Sequence, residues 1–158
     1  MRTYLLLIPF IWSLPLVAAD WPHWLGPNGD GISLETDWKH EINDPRWKAK
    51  VGVGFSAVSV ANDKLYTMGH DGKKSAGQET VYCLNAQTGK SIWKQSYPAP
   101  LVDYLHEGGP CSTPTVDGSI VYTISKHGLL HAFQAKDGKV IWNKDMKKEA
   151  GMKRPPEW

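Results

Sequence analysis

The chain has 158 residues, with 18 lysine and arginine residues against 16 aspartate and glutamate residues and a formal net charge of +2. So balanced a charge does not provide the basic surface that neutralises phosphates in nucleic-acid-binding proteins, and the basic residues near the carboxyl terminus are interleaved with acidic ones. We therefore expect no nucleic-acid partner.

Residues 1–19 are typical of an export signal. Arg2 precedes an apolar run at residues 5–17, which is too short to span a bilayer and contains two prolines. Small residues then precede the polar Asp20, which predicts cleavage after Ala19. No second long apolar stretch follows in the sequence. We expect a periplasmic or extracellular protein without stable membrane insertion, and an uncleaved membrane anchor is the alternative.

The two cysteines, Cys83 and Cys111, would meet an oxidising compartment if the chain is exported. They lie 28 positions apart, so they do not form a Cys-x-x-Cys redox or metal motif. The sequence leaves two alternatives open, namely a disulfide between them or two separately buried thiols.

Residues 20–46 predict an irregular amino-terminal arm, because turn-forming residues alternate with tryptophans whose indoles could hold the segment in place. Asn28 and Asp30 alternate with glycines in a way that superficially resembles a calcium loop. The other acidic ligands of such a loop are absent from the segment, so a plain turn is favoured.

Short runs of β-branched and aromatic residues, separated by Gly, Asn and Asp, begin at Phe55 and predict strands and hairpins. Eight strands are predicted, at residues 56–60, 65–68, 80–84, 91–97, 112–116, 120–125, 129–134 and 139–144. A crossover at residues 98–109 joins the two groups of four strands. Residues 146–152 predict one or two helical turns.

The two groups of strands are copies of one unit. Residues 85–94 recur as residues 134–143 with an offset of 49, and each copy carries a Gly-Lys turn followed by Ile-Trp. The likeness extends upstream with an offset of 56, where Val60, Leu65, Tyr66 and Thr67 correspond to Val116, Val121, Tyr122 and Thr123. Repeats of this kind indicate a stack of small units that bury their faces against one another.

Four short antiparallel strands in about fifty residues are the content of a β-propeller blade. We therefore predict an all-β fold with about two blades of an incomplete propeller: a first blade with crossover at 47–107, a second blade at 108–146, and the start of a linker to a further blade at 147–158. Trp93 and Trp142 are predicted to pack between neighbouring blades, since an indole buries a large apolar surface and still donates one hydrogen bond.

The Ala-x-x-Gly-Lys-x-x-Trp phrase of both copies resembles the tryptophan docking motif of the pyrroloquinoline-quinone-like β-propeller repeat family. The resemblance covers residues 47–146, and the Trp-rich arm from Asp20 looks like the lead-in of exported bacterial members. The resemblance implies a ring of seven or eight blades. Since a stack of two blades would leave an apolar face bare at each end, we expect a fragment of a longer protein or a component of an assembly.

The same family implies two kinds of function. Its quinone-dependent dehydrogenases carry a calcium-bound quinone, a pair of adjacent cysteines and acidic metal ligands, whereas other members carry no cofactor. Cys83 and Cys111 are not adjacent, and no acidic residue lies in a recognisable ligand phrase. The sequence therefore favours a non-catalytic module, without a cofactor, that binds a partner protein or an extracellular ligand on its rim or channel loops. The amino-terminal part of a quinone-dependent alcohol or sugar dehydrogenase, using pyrroloquinoline quinone and calcium, is the alternative.

No catalytic, cofactor-binding or metal-binding residue is predicted. Asp117 is interpreted as a turn residue, and His127 and His131 are given turn or surface roles because no helix places them on one face. Residues 106–109, with the sequence His-Glu-Gly-Gly, lie in the crossover, where loop polar groups most often act.

Overall fold

Two separate four-stranded antiparallel sheets form the body of the protein. The structure is a computed structural model that describes residues 19–36, 44–104 and 106–151, so all but the last residue of the predicted export signal, and most of the predicted linker at 147–158, lie outside the described residues. In chain order the elements are β1 (Ser59–Ala61), β2 (Lys64–His70), β3 (Gln78–Asn85), β4 (Ser91–Pro98), β5 (Thr115–Asp117), β6 (Ile120–Ile124), β7 (Leu129–Gln134), β8 (Val140–Asp145) and the short helix α1 (Met146–Glu149).

Each sheet has its strands in chain order, β1 to β4 in the first sheet and β5 to β8 in the second. Both sheets are meanders of four strands, and the predicted all-β blade architecture is confirmed. Within the described ranges, no helix has the length and apolar character needed to cross a membrane.

The first strand of each sheet begins three residues later than predicted. In the first sheet, the Ser56 hydroxyl accepts the backbone N–H of Met68 and the Ala57 carbonyl accepts the Thr67 hydroxyl, so side-chain bonds replace the ladder before β1. In the second sheet, Pro114 has no N–H to contribute and β5 starts only after it.

The repeat that the sequence shows also appears in the register of the strands. Cys83 lies opposite Trp93 in the first sheet, and Ala132 lies opposite Trp142 in the second. In both sheets the register shifts immediately after that pair. A bulge at the same place gives both outer strands the same local bend, so the two tryptophans occupy equivalent positions.

The hydrophobic core lies between the two sheets rather than within either one. Tyr66 and Trp93 of the first sheet and Phe133 of the second pack together, with the Trp93 and Phe133 ring centroids 6.0 Å apart. The other buried members of this cluster are Ala61, Met68, Val81, Cys83, Tyr97, Val116 and Val121. Each sheet thus depends on its neighbour for much of its apolar burial, as stacked repeats do.

The amino-terminal arm crosses the first strands of both sheets. The backbone of Trp21 exchanges two hydrogen bonds of 2.8 Å with Val60 of β1, and the Pro22 carbonyl accepts the N–H of Val116 of β5, also at 2.8 Å. The arm was expected to be held by its indoles. The Trp24 side chain is instead 63% exposed, so that expectation is wrong for Trp24, and backbone hydrogen bonds fasten the arm.

Candidate docking interface between the sheets

Trp93 on β4 joins the first sheet to the turn before β8. Its Nε1 donates to the Ala135 carbonyl over 3.1 Å, and the residue is only 7% exposed. Its ring lies on Gly138, where an added Cβ would come within 2.6 Å of the indole. Gly138 also has a φ of 74°, a conformation that glycine adopts without strain. The predicted packing of Trp93 between the blades is confirmed.

Trp47 makes the same contact with the first sheet. Its Nε1 donates to the Ala86 carbonyl over 3.0 Å, and an added Cβ on Gly89 would lie 2.4 Å from its ring. Ala86 and Gly89 stand in the same Ala-x-x-Gly pattern as Ala135 and Gly138. Sequence reasoning did not assign this role to Trp47, although the dipeptide Trp47-Lys48 repeats the Trp-Lys step of β4.

Trp142 on β8 is the third member of this series and lies open to solvent. The residue is 37% exposed, and its ring contacts Tyr122 of the same sheet at a centroid distance of 6.0 Å. Val140 and Ile141 beside it are 41% and 45% exposed. Among the described residues, Trp142 does not pack between two blades as predicted, because none of them forms a sheet beyond β8.

A second feature of the interface is a buried polar cluster that links the sheets. Glu79 on β3 is 1% exposed and accepts the Tyr97 hydroxyl over 3.0 Å, and the backbone N–H of Lys126 in the β6–β7 turn also donates to it. The Tyr97 ring stacks on His131 of β7, with centroids 4.4 Å apart and planes at 22°. One carboxyl group thereby contacts both sheets.

Burial decides the protonation of these three side chains. It raises the pKa of Glu79, although the Tyr97 hydroxyl and the nearby His127 and His70 act in the opposite direction. Burial, and then the charge of Glu79, raise the pKa of Tyr97 well above its usual range, so this phenol remains a hydrogen-bond donor. Burial also lowers the pKa of His131, which favours the neutral imidazole.

The turn or surface role predicted for His131 is wrong. His131 is only 8% exposed, because its side chain lies on the face of β7 that packs against the first sheet. Its Nδ1 has no hydrogen-bond partner among the described residues. Its ring also stacks on Phe133, 5.4 Å away. The sequence gives no sign of this position, because the alternation of β7 alone does not tell which face meets another sheet.

Two histidines, one from each sheet, hold the start of the crossover. His70 Nε2 lies 2.7 Å from the Ala99 carbonyl, while its Nδ1 accepts the N–H of Gly72 over 2.9 Å, so Nε2 carries the proton. His127 Nε2 lies 2.8 Å from the adjacent Pro100 carbonyl. The turn role predicted for His127 is confirmed, and the crossover is tied to both sheets.

The segment at residues 106–109 is an ordered part of this crossover. His106 Nδ1 accepts the N–H of Gly108 over 3.0 Å, and the imidazole meets the Phe55 ring edge-on at 4.9 Å. Lys126 Nζ lies 3.2 Å from His106 Nε2 and 6.0 Å from the centre of the Tyr104 ring. We call these four side chains, Phe55, Tyr104, His106 and Lys126, the crossover patch. Phe55 and Tyr104 are 55% and 64% exposed, whereas Lys126 is half-buried, so the patch presents mainly aromatic surface to solvent.

The cysteines are two thiols in different surroundings rather than a disulfide. Cys83 is fully buried in the core, and burial raises the pKa of its thiol to about 11. Cys111 lies nearer the surface, and its thiol contacts the Gly109 carbonyl at 3.7 Å. A thiol with a raised pKa in an apolar core is inert as a nucleophile, so Cys83 has a packing role.

Across 19–36, 44–104 and 106–151, no three His, Cys, Asp or Glu side chains come together in a way that could hold a metal ion. Calcium needs several oxygen ligands at one point. The carboxyl group of the buried Glu79 instead accepts hydrogen bonds from the Tyr97 hydroxyl and the Lys126 backbone N–H.

Comparison with known proteins identifies the repeat. Residues 35–157 match the PQQ_2 family, described as outer membrane protein assembly factor BamB. The chain belongs to this family. The match confirms the resemblance found in the sequence and includes the residues of all three tryptophan contacts, so the two sheets are blades of a BamB/PQQ-like β-propeller.

Among curated proteins, this BamB/PQQ-like chain is similar to the quinoprotein alcohol dehydrogenase PedE of Pseudomonas putida, with 28% identity over 122 residues. The alignment covers 77% of this chain and 16% of that protein, so the chain spans only a small part of its relative.

Two solved structures are also similar to this BamB/PQQ-like chain. The crystal structure of BamB from Moraxella catarrhalis matches with a TM-score of 0.43 and 17% sequence identity. The matched region covers 63% of this chain and 26% of the BamB chain. A europium-containing methanol dehydrogenase matches with a TM-score of 0.40 and 22% sequence identity. The matched region covers 55% of this chain and 14% of the dehydrogenase chain.

Proposed function

We propose that this chain belongs to an exported β-propeller protein that binds a partner protein or an extracellular ligand and catalyses no reaction. The observation that carries the proposal is the use of the buried polar groups. The buried Glu79, Tyr97 and His70, together with the partly exposed His127, each bond to a neighbouring side chain or backbone group that holds the sheets and the crossover together. Side chains committed to such contacts stabilise a scaffold.

The family description supports the same proposal, since it names an assembly factor of outer membrane proteins. The crossover patch is the surface that suits a partner best. It contains the exposed rings of Phe55 and Tyr104 beside Lys126, and aromatic side chains are enriched in the cores of protein interfaces.

Partner binding is tested with the full-length protein that contains this chain. Replacing Phe55 and Tyr104 together by Ser should weaken recovery of a cross-linked envelope protein at least about tenfold, as expected for interface anchors. Ile32→Ser is the matched control, because Ile32 is 59% exposed and lies in the arm. Equal loss in both variants would contradict a role for the crossover patch.

Export is a separate part of the proposal. Residues 1–19 should be removed on the way to the periplasm or the extracellular space, so the mature protein should begin at Asp20. Amino-terminal sequencing of the protein from an envelope fraction decides this point. A retained Met1 would favour the membrane anchor instead.

A quinone-dependent alcohol or sugar dehydrogenase is the second candidate, and the similarity to the alcohol dehydrogenase PedE favours it. The full-length protein should be mixed with calcium and pyrroloquinoline quinone and then freed of unbound quinone. Under the scaffold proposal no quinone absorbance remains with the protein and no alcohol oxidation is seen. A bound chromophore with activity would establish the dehydrogenase.

We also propose bounds for the parts of the chain. We assign the arm to residues 20–46, the first blade with its crossover to 47–107, the second blade to 108–146 and a linker to 147–158. Because the chain spans 16% of its curated relative, we propose that it works as a segment of a larger ring or as a component of an assembly. The half-exposed Trp142 supports this proposal, since it is a docking residue without a described partner sheet.

A further inference from the structure

The crossover patch contains two hydrogen-bond donors that face each other. His106 Nδ1 accepts the N–H of Gly108 over 3.0 Å, and a backbone N–H can only donate. The proton of the neutral imidazole therefore lies on Nε2, which makes Nε2 a donor. Lys126 Nζ lies 3.2 Å from this Nε2, and an ammonium group has three donors and no acceptor. Neither group can accept a hydrogen bond from the other.

The charge of Lys126 has no counter-ion in the described part of the chain. No carboxylate of residues 19–36, 44–104 and 106–151 forms an ion pair with its ammonium group. Lys126 is half-buried, and its other contact is the Tyr104 ring, whose centre lies 6.0 Å from Nζ. Removing a cation partly from water is costly unless an opposite charge or an acceptor compensates it. The two facing donors therefore call for an anion that can accept from both.

The surroundings of the two donors favour a carboxylate that belongs to a protein. One ammonium group balances the single charge of a carboxylate, and the two carboxylate oxygens can accept the Nε2–H and the ammonium group at the same time. The Phe55 ring meets the His106 imidazole edge-on at 4.9 Å, and the Phe55 and Tyr104 rings are largely exposed. Aromatic surface of this kind is enriched in the cores of protein interfaces. An acidic side chain that lies next to an apolar one matches both features.

We propose that His106 and Lys126 together bind the carboxylate of an aspartate or glutamate side chain of a partner protein, while Phe55 and Tyr104 contact the apolar residue beside it. The inference rests on the proposed function, because it names the chemistry of the partner that the crossover patch binds. The site is held in place before the partner arrives. The backbone N–H of Lys126 donates to the buried Glu79, which fixes the turn that carries the lysine side chain to the first sheet.

Two blocked peptides test the site on the full-length protein that contains this chain. They are acetyl-Gly-Asp-Phe-Gly-amide and acetyl-Gly-Asn-Phe-Gly-amide, which differ only in the carboxylate. In saturation-transfer NMR titrations the acidic peptide should have a dissociation constant at least about tenfold lower, as expected for hydrogen bonds to a charged group. Equal affinities would overturn the proposal. Phosphate or phenylacetate that binds more tightly than the acidic peptide would overturn it as well, because the site would then take a free anion.

Lys126→Met removes the cation and keeps an unbranched apolar stem, and the backbone N–H that donates to Glu79 is unchanged. This variant should bind the acidic peptide at least about tenfold more weakly, and its affinity for the amide peptide should change by less than about twofold. Lys136→Met is the matched control, because Lys136 is exposed in the turn before β8 and its loss changes the net charge by the same amount. An equal loss of acidic-peptide affinity in the control would overturn the proposal.

His106→Asn is a second site variant that preserves the local loop. The asparagine side-chain oxygen can accept the N–H of Gly108 as Nδ1 does, but the side chain has no donor in the place of Nε2. The acidic peptide should again bind at least about tenfold more weakly. Near-ultraviolet circular dichroism checks that both site variants are folded. Unchanged affinity for the acidic peptide in a folded site variant would overturn the proposal.

Recovery of the cross-linked envelope protein separates this inference from the proposed function. Phe55→Ser with Tyr104→Ser, and Lys126→Met on its own, should each weaken that recovery, whereas Lys136→Met should not. If the aromatic double variant weakens recovery and Lys126→Met does not, the partner still binds the crossover patch and only the carboxylate proposal is overturned. If neither change weakens recovery, the crossover patch is not the partner surface and both proposals are overturned.

Discussion

Trp93 of the first sheet lies flat against Gly138 of the second, in the space that any other residue at position 138 would fill with its Cβ. The indole N–H reaches the Ala135 carbonyl at the other end of the same turn. The contact therefore combines apolar burial, one hydrogen bond and a glycine requirement. Since the core lies between the sheets, this contact controls the stability of the whole two-blade unit.

Trp93→Ala should lower the free energy of unfolding by about 3–5 kcal/mol, the usual cost of truncating a buried tryptophan. The loss comes from apolar burial against Tyr66 and Phe133 and from the unbonded Ala135 carbonyl. Urea unfolding of the mature chain measures it. Trp24→Ala is the matched control, since Trp24 is 63% exposed and its loss should change stability by less than about 0.5 kcal/mol. Similar losses in both variants would contradict the docking role.

Gly138→Ala should destabilise the chain more than Gly118→Ala. Both glycines have positive φ, 74° and 55°, so each substitution carries backbone strain of about 1 kcal/mol. Only at Gly138 does the added Cβ also meet the Trp93 ring, whereas nothing lies within 4 Å of the corresponding atom at Gly118. Thermal unfolding of the two variants separates strain from contact. Equal melting temperatures would show that Trp93 does not need this glycine.

The repeated Ala-x-x-Gly-Lys-x-x-Trp phrase made the fold predictable, because it depends on residues that are close in sequence. Turn glycines, β-branched strands and an indole at a fixed distance from each turn are all features of neighbouring residues, so two blades and the Trp93 contact could be read from the sequence. The burial of Glu79 and His131 at one interface could not be predicted from the sequence. These residues are 52 positions apart, and only the packing of one sheet on another brings their strands to the same interface.

Trp47 shows an intermediate case. Its contact with Gly89 could have been found by comparing Trp47-Lys48 with Trp93-Lys94, because the residues that follow each turn-docking indole are alike. The backbone around Trp47 does not pair with a sheet among the described residues, so strand patterns gave no signal there. Tertiary contacts that a single residue makes outside regular structure remain the hardest to predict from one sequence.

His131 should make the chain less stable as the pH falls. Burial lowers the pKa of His131 below its unfolded value of 6.5, so between these two values the unfolded chain binds more protons than the folded chain. Its contribution to stability is therefore complete above about pH 6.5 and is lost as the pH falls toward the folded-state pKa, with a slope of at most about 1.4 kcal/mol per pH unit. His131→Phe keeps a ring to stack on Tyr97 and should remove this slope in urea titrations. An unchanged slope in the variant would assign the effect to another group.

Glu79 should make the chain less stable as the pH rises. Burial raises the pKa of Glu79 above 4.5, so its contribution to stability is present below pH 4.5 and is lost as the pH rises through the folded-state pKa. Glu79→Gln keeps an acceptor for the Tyr97 hydroxyl without a charge, and near neutral pH it should be at least as stable as the wild type. Tyr97→Phe leaves the buried carboxyl without that donor and should cost about 1–3 kcal/mol. A strongly destabilised Glu79→Gln variant would show that the charged carboxylate is required.

The arm should protect specific amides on both sheets. Removal of residues 20–36 deletes the Trp21 carbonyl that accepts the Val60 N–H and the Pro22 carbonyl that accepts the Val116 N–H. In hydrogen-exchange measurements, both amides should exchange at least about tenfold faster in the shortened chain, as groups that lose their only backbone partner do. Val81, on the central strand β3, is the internal control and should keep its protection. Uniform acceleration at all three amides would mean that the arm stabilises the fold as a whole, whereas a change confined to Val60 and Val116 establishes it as a link between the first strands of the two blades.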